Sequence, residues 1–479
     1  MNFRSVFAIQ GLLLIFQGVF MLFPVGFSVY YGDDDAAPIL ISAAITLAVG
    51  LLLRFGFRLR GELRLKDSYA TVSFGWIFAA FFGALPFFLS GYIPSFTNAF
   101  FESMSGFTTT GATILADVEA LPHGLLFWRS LTHWLGGMGI IVLSLAILPL
   151  LGVGGMQLYR AEIPGPLPDK LTPRIQETAK LLWGVYVLLS FVEAVLLMAG
   201  GMNLFDSLCH TFGTMATGGF STKNACLAHF SSVYLDSVVI VFMILAGTNF
   251  SLHYHGLRGR ISVYWKSEEF KFYLGFILAG LVGVTVINVL STSPRLFDAL
   301  RHSAFQVVSI VTTTGYTTAD FNQWHSAGQM VLLILMFFGG CAGSTGGSLK
   351  ILRLMILFKQ GRVELKRLLH PHAVISVRVD GRLISPAIVS NILTFIFLYL
   401  FIFALTSLIM TLLGLDLVSA VASVAATLGN VGPGLGMVAP SANYSPIPLA
   451  GKWLLSFCML AGRLEIYTIL VLFTKDFWE

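Results

Sequence analysis

Apolar residues run along this chain in long blocks separated by short polar stretches, rather than in a helical or alternating stripe. Ten blocks are long enough to cross roughly 30 Å of hydrocarbon, for which a helix needs about 20 residues. They cover residues 3–30, 38–57, 68–90, 125–151, 175–200, 232–255, 269–290, 329–358, 383–413 and 452–473. The first is too long for a cleaved leader, and no small-residue cleavage site precedes the second, so it is expected to stay. Four shorter apolar runs lie after the third, fifth, seventh and ninth blocks. Each ends in a turn rich in threonine or glycine.

Composition narrows the class. Of 479 residues, 56% are hydrophobic and 11% charged, against roughly a quarter charged in a soluble protein. A soluble enzyme, a disordered chain and a nucleic-acid-binding domain are thereby excluded, leaving an integral membrane protein. Charge then orients it, because Lys and Arg collect in cytoplasmic loops. Five basic residues (Arg54, Arg58, Arg60, Arg64, Lys66) fall between blocks two and three, and four (Arg160, Lys170, Arg174, Lys180) between four and five. Four more (Arg258, Arg260, Lys266, Lys271) lie between six and seven, and eight, from Lys350 to Arg382, between eight and nine. With Arg4 and Lys475 they share one side. Only Lys223, Arg295, Arg301 and Lys452 lie on the other, so both termini are expected in the cytoplasm.

The four turns look like one motif. Aligning them places Gly111, Gly218, Gly315 and Gly429 in register, at intervals of about a hundred residues. Each unit then reads span, half-span, turn, span. Irregular backbone at membrane depth is tolerated only where it is buried or lines a water-filled path. Four such turns on one axis would present carbonyl oxygens that replace the hydration shell of a monovalent cation. Glycine permits the backbone this requires. The expected filter is Thr109, Thr110 and Gly111; Thr217, Gly218 and Gly219; Thr313, Thr314 and Gly315; and Leu428, Gly429 and Asn430, with Gly432 competing for the fourth glycine. The transported cation would bind at these residues and nowhere else.

With these residues assembled, the sequence resembles the TrkH family of bacterial potassium-uptake proteins, within the Trk/Ktr/HKT superfamily. The resemblance covers nearly the whole chain and includes segments 129–139, 155–165, 339–347 and 462–466. It implies an all-α polytopic membrane protein with four M1–pore helix–M2 repeats in pseudo-fourfold symmetry around one pore, plus two extra N-terminal transmembrane helices. The boundaries expected are 1–67 for those two helices, then repeats at 68–156, 157–256, 257–368 and 369–479. The resemblance further implies a homodimer in a bacterial inner membrane. It also implies a cytosolic TrkA-type ring that binds NAD(H), ATP or ADP and gates the pore. This chain has no dinucleotide fingerprint after a soluble strand, so no cofactor is expected on it. Two other readings are a less selective Na⁺/K⁺ permease and a non-conducting subunit of a potassium pump.

The eighth block is broken by five glycines in residues 339–347, each costing a helix about 1 kcal/mol relative to alanine. A mobile intramembrane loop is expected, with Gly343, Ser344, Thr345, Gly346 and Gly347 in the gate. Arg463, inside the last block, is expected to project into the pore beside it; Glu465 is a candidate partner, although two residues apart on a helix do not face each other. Glu102, Asp206, Asp298 and Asp416 are read as compensating the N-termini of the four half-helices. Glu193 is the one intramembrane carboxylate open to a proton-relay reading. The pairs His253/His255 and His370/His372 lack the company a metal site needs, and Cys209 and Cys226 flank the second half-helix.

Overall fold

A computed structural model describes residues 2–57, 64–137, 139, 175–291, 295–373 and 375–479. Segment 155–165, most of the second half of block four, and Arg58, Arg60, Arg160, Lys170 and Arg174 lie outside the described residues.

Among the described residues, six helices are long and apolar enough to cross a membrane: Phe3–Tyr31, Ala36–Gly56, Lys66–Leu89, Ala179–Ala199, Glu268–Ser291 and Pro386–Leu412. Two bent helix pairs are apolar and long enough when each is taken as one unit. Val233–Ala246 meets Phe250–Leu257 at 104°, and Leu449–Arg463 meets Tyr467–Phe473 at 114°. Block four begins as the helix His123–Gly137. Block eight is split into Ser326–Leu335 and Ile351–Leu369. Between them runs non-helical chain, in which Phe338–Gly339 pairs in parallel with Leu349–Lys350. The protein is therefore all-α and polytopic, as the apolar blocks require.

The two N-terminal helices cross where glycines remove the side chains. A Cβ on Gly11 would meet the Gly50 carbonyl oxygen at 2.6 Å, so backbone touches backbone there. Amide side chains tie this pair to the next helix: Gln10 Nε2 donates to Thr71 O at 2.8 Å and Gln17 Nε2 to Ala79 O at 3.0 Å. The loop between the two helices caps a third. Asp33 Oδ2 accepts from the His123 amide at 2.7 Å, and Asp35 Oδ2 from the Leu125 amide at 2.7 Å. These amides open the helix His123–Gly137 and have no partner within it.

Four short helices enter the core: Phe96–Phe107, Leu204–Met215, Leu296–Val311 and Leu417–Leu428. At about 1.5 Å per residue, twelve residues reach roughly half the membrane. The second and fourth start with side-chain caps. Asn203 Oδ1 accepts from the Asp206 amide at 2.7 Å, and Asp416 Oδ2 from the Ser419 amide at 3.1 Å. The Ser419 hydroxyl and amide hold the Asp416 carboxyl below its ordinary range. Asp298 lies in the first turn of the third. Glu102 departs from expectation. The first half-helix begins at Phe96, so Glu102 lies past its midpoint and its charge is matched by a side chain instead.

Candidate ion path and gate

Each half-helix ends in the same backbone figure. The amides of Thr109, Thr217, Thr313 and Asn430 bond back three residues, to Gly106, Thr214, Ile310 and Thr427, at 2.9–3.2 Å. The next amides, of Thr110, Gly218, Thr314 and Val431, bond back five, to Ser105, Gly213, Ser309 and Ala426, at 2.8–2.9 Å. The backbone turns left-handed twice in each figure. It does so first at Thr109, Thr217, Thr313 and Asn430 (φ 52–60°), then at Gly111, Gly219, Gly315 and Gly432 (φ 78–94°). A β-branched residue in that region costs on the order of 1–3 kcal/mol, and the paired amide bonds hold it there.

This pattern corrects the sequence register. Gly218 matches Thr110, Thr314 and Val431, and the second turn's left-handed glycine is Gly219. In the fourth turn the matching glycine is Gly432. Leu428 is the last residue of its half-helix and Gly429 its C-cap, at φ −80°. A Thr-Gly search misses this because the fourth turn carries asparagine where the others carry threonine.

The turns close on one another in a ring. A Cβ on Gly111 would overlap the carbonyl oxygen of Gly218, one on Gly219 that of Thr314, one on Gly315 that of Val431, and one on Gly432 that of Thr110. One cavity is lined by all four glycines together with residues that follow them, among them Thr113, Ser221, Thr317 and Asn443. Threonine hydroxyls pair behind two of the turns, Thr108 with Thr110 and Thr312 with Thr314, both at 2.8 Å. Asn430 Nδ2 donates to Thr110 Oγ1 at 3.0 Å and to Met459 O at 2.9 Å. Two buried oxygens, Thr109 Oγ1 and Asn430 Oδ1, have no hydrogen-bond partner among the described residues.

Side chains that sequence reading passed over brace the ring. Tyr316 directs its hydroxyl to His210 O at 2.9 Å and Phe220 O at 3.2 Å, and Tyr444 to Gly432 O at 2.7 Å. Arg129 Nε meets Glu102 Oε1 at 2.7 Å, both side chains buried. Its guanidinium lies 3.5 Å above the Phe220 ring and donates to Ser221 O at 3.0 Å. Glu102 also accepts from the Thr113 hydroxyl and the Ile114 amide. Tyr316 and Arg129 stand inside motif segments, which is the signal that could have found them.

The glycine-rich loop lies against the turns on the side of the residues that precede the glycines. The Gly347 amide donates to Thr313 Oγ1 at 2.8 Å, and the Thr345 hydroxyl reaches Met215 O and Ala246 O at 3.1 Å. A Cβ on Gly347 would meet Gly429 O at 2.8 Å, so the loop also touches the fourth turn. The bend in the sixth span holds its other edge: Cys341 N donates to Gly247 O at 2.8 Å and Phe250 N to Gly343 O at 3.1 Å. Glu269 Oε1 takes the Ala342 amide at 2.6 Å.

Arg463 ends the helix Leu449–Arg463 and donates to Thr345 O at 2.7 Å, Gly136 O at 2.6 Å and Gly137 O at 2.9 Å. Glu465 is not its partner: the backbone reverses at positive φ at Glu465 and Ile466, and Glu465 pairs with Arg353 instead. His253 is bonded to Tyr264 and to Leu245 O, each at 2.8 Å. Cys209 and Cys226 are free thiols.

Residues 36–479 match the sequence profile TrkH, described as cation transport protein. Over the full length of both chains, the sequence is 44% identical to Trk system potassium uptake protein TrkH of Escherichia coli K12 and 43% identical to that of Halomonas elongata. The crystal structure of the potassium transporter TrkH from Vibrio parahaemolyticus superimposes with a TM-score of 0.90 at 39% identity, covering both chains entirely.

Proposed function

The chain belongs to the TrkH family of cation transport proteins, and from that premise we propose that it is a potassium-uptake protein whose ion path runs through the four turns. The carrying observation is the closed ring of glycine–carbonyl contacts. The carbonyls of Thr110, Gly218, Thr314 and Val431, with the turn backbone around Thr109, Thr217, Thr313 and Asn430, take the place of water around a bare cation. The negative C-terminal ends of four half-helices face the same point. The cavity lined by the four glycines would be the outer vestibule, and the Lys/Arg bias supports an orientation with both termini in the cytoplasm, in a bacterial inner membrane as for the family.

Repeats at 68–156, 157–256, 257–368 and 369–479 would each supply one corner. On the cytoplasmic side, Gly343–Gly347 closes the path and Arg463 holds it closed through the Thr345 carbonyl, with its positive charge opposing a cation below the ring. Opening requires those carbonyl bonds to break. The helix Ile351–Leu369 follows the loop directly and carries Arg353, Lys359, Arg362, Lys366 and Arg367. A cytosolic TrkA-type ring with its nucleotide, NAD(H), ATP or ADP, would pull on it, and a homodimer would hold two independent pores.

Uptake of K⁺, Rb⁺, Na⁺ and Li⁺ into liposomes carrying the purified protein tests the reading. Potassium and rubidium are expected to pass in preference to sodium and lithium. Equal sodium and potassium flux would replace the selective filter with a general cation permease, and no flux with or without a TrkA-type partner would favour a pump subunit.

A further inference from the structure

Glu193 lies in the helix Ile175–Ala199 and is completely buried. Neither of its carboxyl oxygens has a hydrogen-bond partner among the described residues. The Thr214 side chain faces it from the second half-helix. Ser207 and Thr211, on the same stripe as Thr214 at helical spacing, carry buried hydroxyls that also have no partner among the described residues. A polar seam therefore runs from the start of the half-helix to Glu193.

That seam reaches two turns of the ring. The Thr214 carbonyl accepts the Thr217 amide at 2.9 Å, in the second turn. Thr214 also faces the hydroxyl of Tyr316, the residue after Gly315 in the third. The neighbouring titratable groups are engaged elsewhere. Asp206 bonds Thr222 and Asn203, and His210 bonds Ser221. Asp236 pairs with Arg301, His253 bonds Tyr264, and Arg129 pairs with Glu102. His133 bonds Gly106 O, Tyr186 donates to Trp134 O, and the guanidinium of Arg258 covers Tyr254. The phenols of Tyr186 and Tyr316 and the Cys209 thiol complete the surroundings.

Among the described residues no cation faces Glu193, and the Thr214 hydroxyl beside it already gives its proton to His210 O at 2.9 Å, so a carboxylate is strongly disfavoured there against its neutral acid. We propose that Glu193 is a proton-binding site through which pH sets the conducting state of the second and third turns. With its proton, the carboxyl fits the dry seam. When the proton leaves to water past Thr211 and Ser207, the charge draws in water or a cation and loosens the half-helix under Thr217 and Tyr316. The proposal rests on the turns being the ion path, which ion selectivity at one pH tests by itself.

Rubidium uptake by the full-length protein in liposomes, from about pH 6 to about pH 9, tests Glu193. Wild-type uptake is expected to fall several-fold toward the alkaline end, Glu193→Gln to stay level, and Glu193→Asp to keep a fall. A flat wild-type profile, or the same fall in Glu193→Gln, overturns the proposal. If the glutamine variant does not fold, pH-difference infrared spectra of the wild type decide. A buried carboxylic-acid band that does not titrate over this range also overturns it.

Discussion

Arg463 donates to the carbonyl oxygen of Thr345 at 2.7 Å, which joins the end of the last long helix to the middle of the glycine-rich loop. Its other nitrogen holds Gly136 O and Gly137 O, so one guanidinium fastens the loop to two helix ends. A hydrogen bond from a charged group contributes about 1.5–3 kcal/mol, or roughly 10- to 100-fold in the population of a detached loop. Arg463→Ala is therefore expected to raise rubidium uptake into liposomes by up to that factor. Folded protein with unchanged or slower uptake would remove Arg463 from the gate.

The register of the fourth turn makes Gly432 the sensitive position. A Cβ there meets Thr110 O in a left-handed backbone. Gly432→Ala should displace a ring carbonyl and move the K⁺ to Na⁺ flux ratio toward one. Gly361→Ala is the control: it sits in the helix Ile351–Leu369 with nothing within 4 Å. That change should leave the ratio alone and gain up to about 1 kcal/mol of helix stability. Equal ratios in both variants would refute the register.

Breaking a buried ion pair leaves a stranded charge and costs about 3–5 kcal/mol. Glu102→Gln and Arg129→Met should each lower the midpoint of thermal unfolding in detergent. The double variant should recover part of the loss, since neither charge is then left alone. Additive losses would mean the two side chains act independently.

Asp35 accepts the Leu125 amide and the Ser28 hydroxyl while buried. Asp35→Ala removes the cap from the helix His123–Gly137 and should cost about 1–3 kcal/mol. Thermal unfolding measures it, and a midpoint equal to wild type would show the contact to be dispensable.

The long apolar blocks and the glycine-rich interruption were legible because membrane length and helix breaking act locally on sequence. Register was harder. Asn430 takes the same left-handed φ as the threonines, and at lower cost, so backbone geometry, not a shared Thr-Gly pair, defines the repeat. The bend after Ala246 follows from neighbours: Gly247 turns its carbonyl outward to hold Cys341, a bond no local pattern announces. Glu465 with Arg353, 112 residues apart, and the Asp35–Leu125 cap are products of tertiary packing and leave no periodic trace.

The ring closes only when Gly432 meets Thr110, and Arg463 follows Gly432 about 30 residues later. While the ribosome is still inserting earlier spans, three corners exist, and three corners enclose nothing. A chain interrupted before the fourth turn thus has no closed ring. The ring and the arginine that fastens the loop are completed within one short stretch of synthesis.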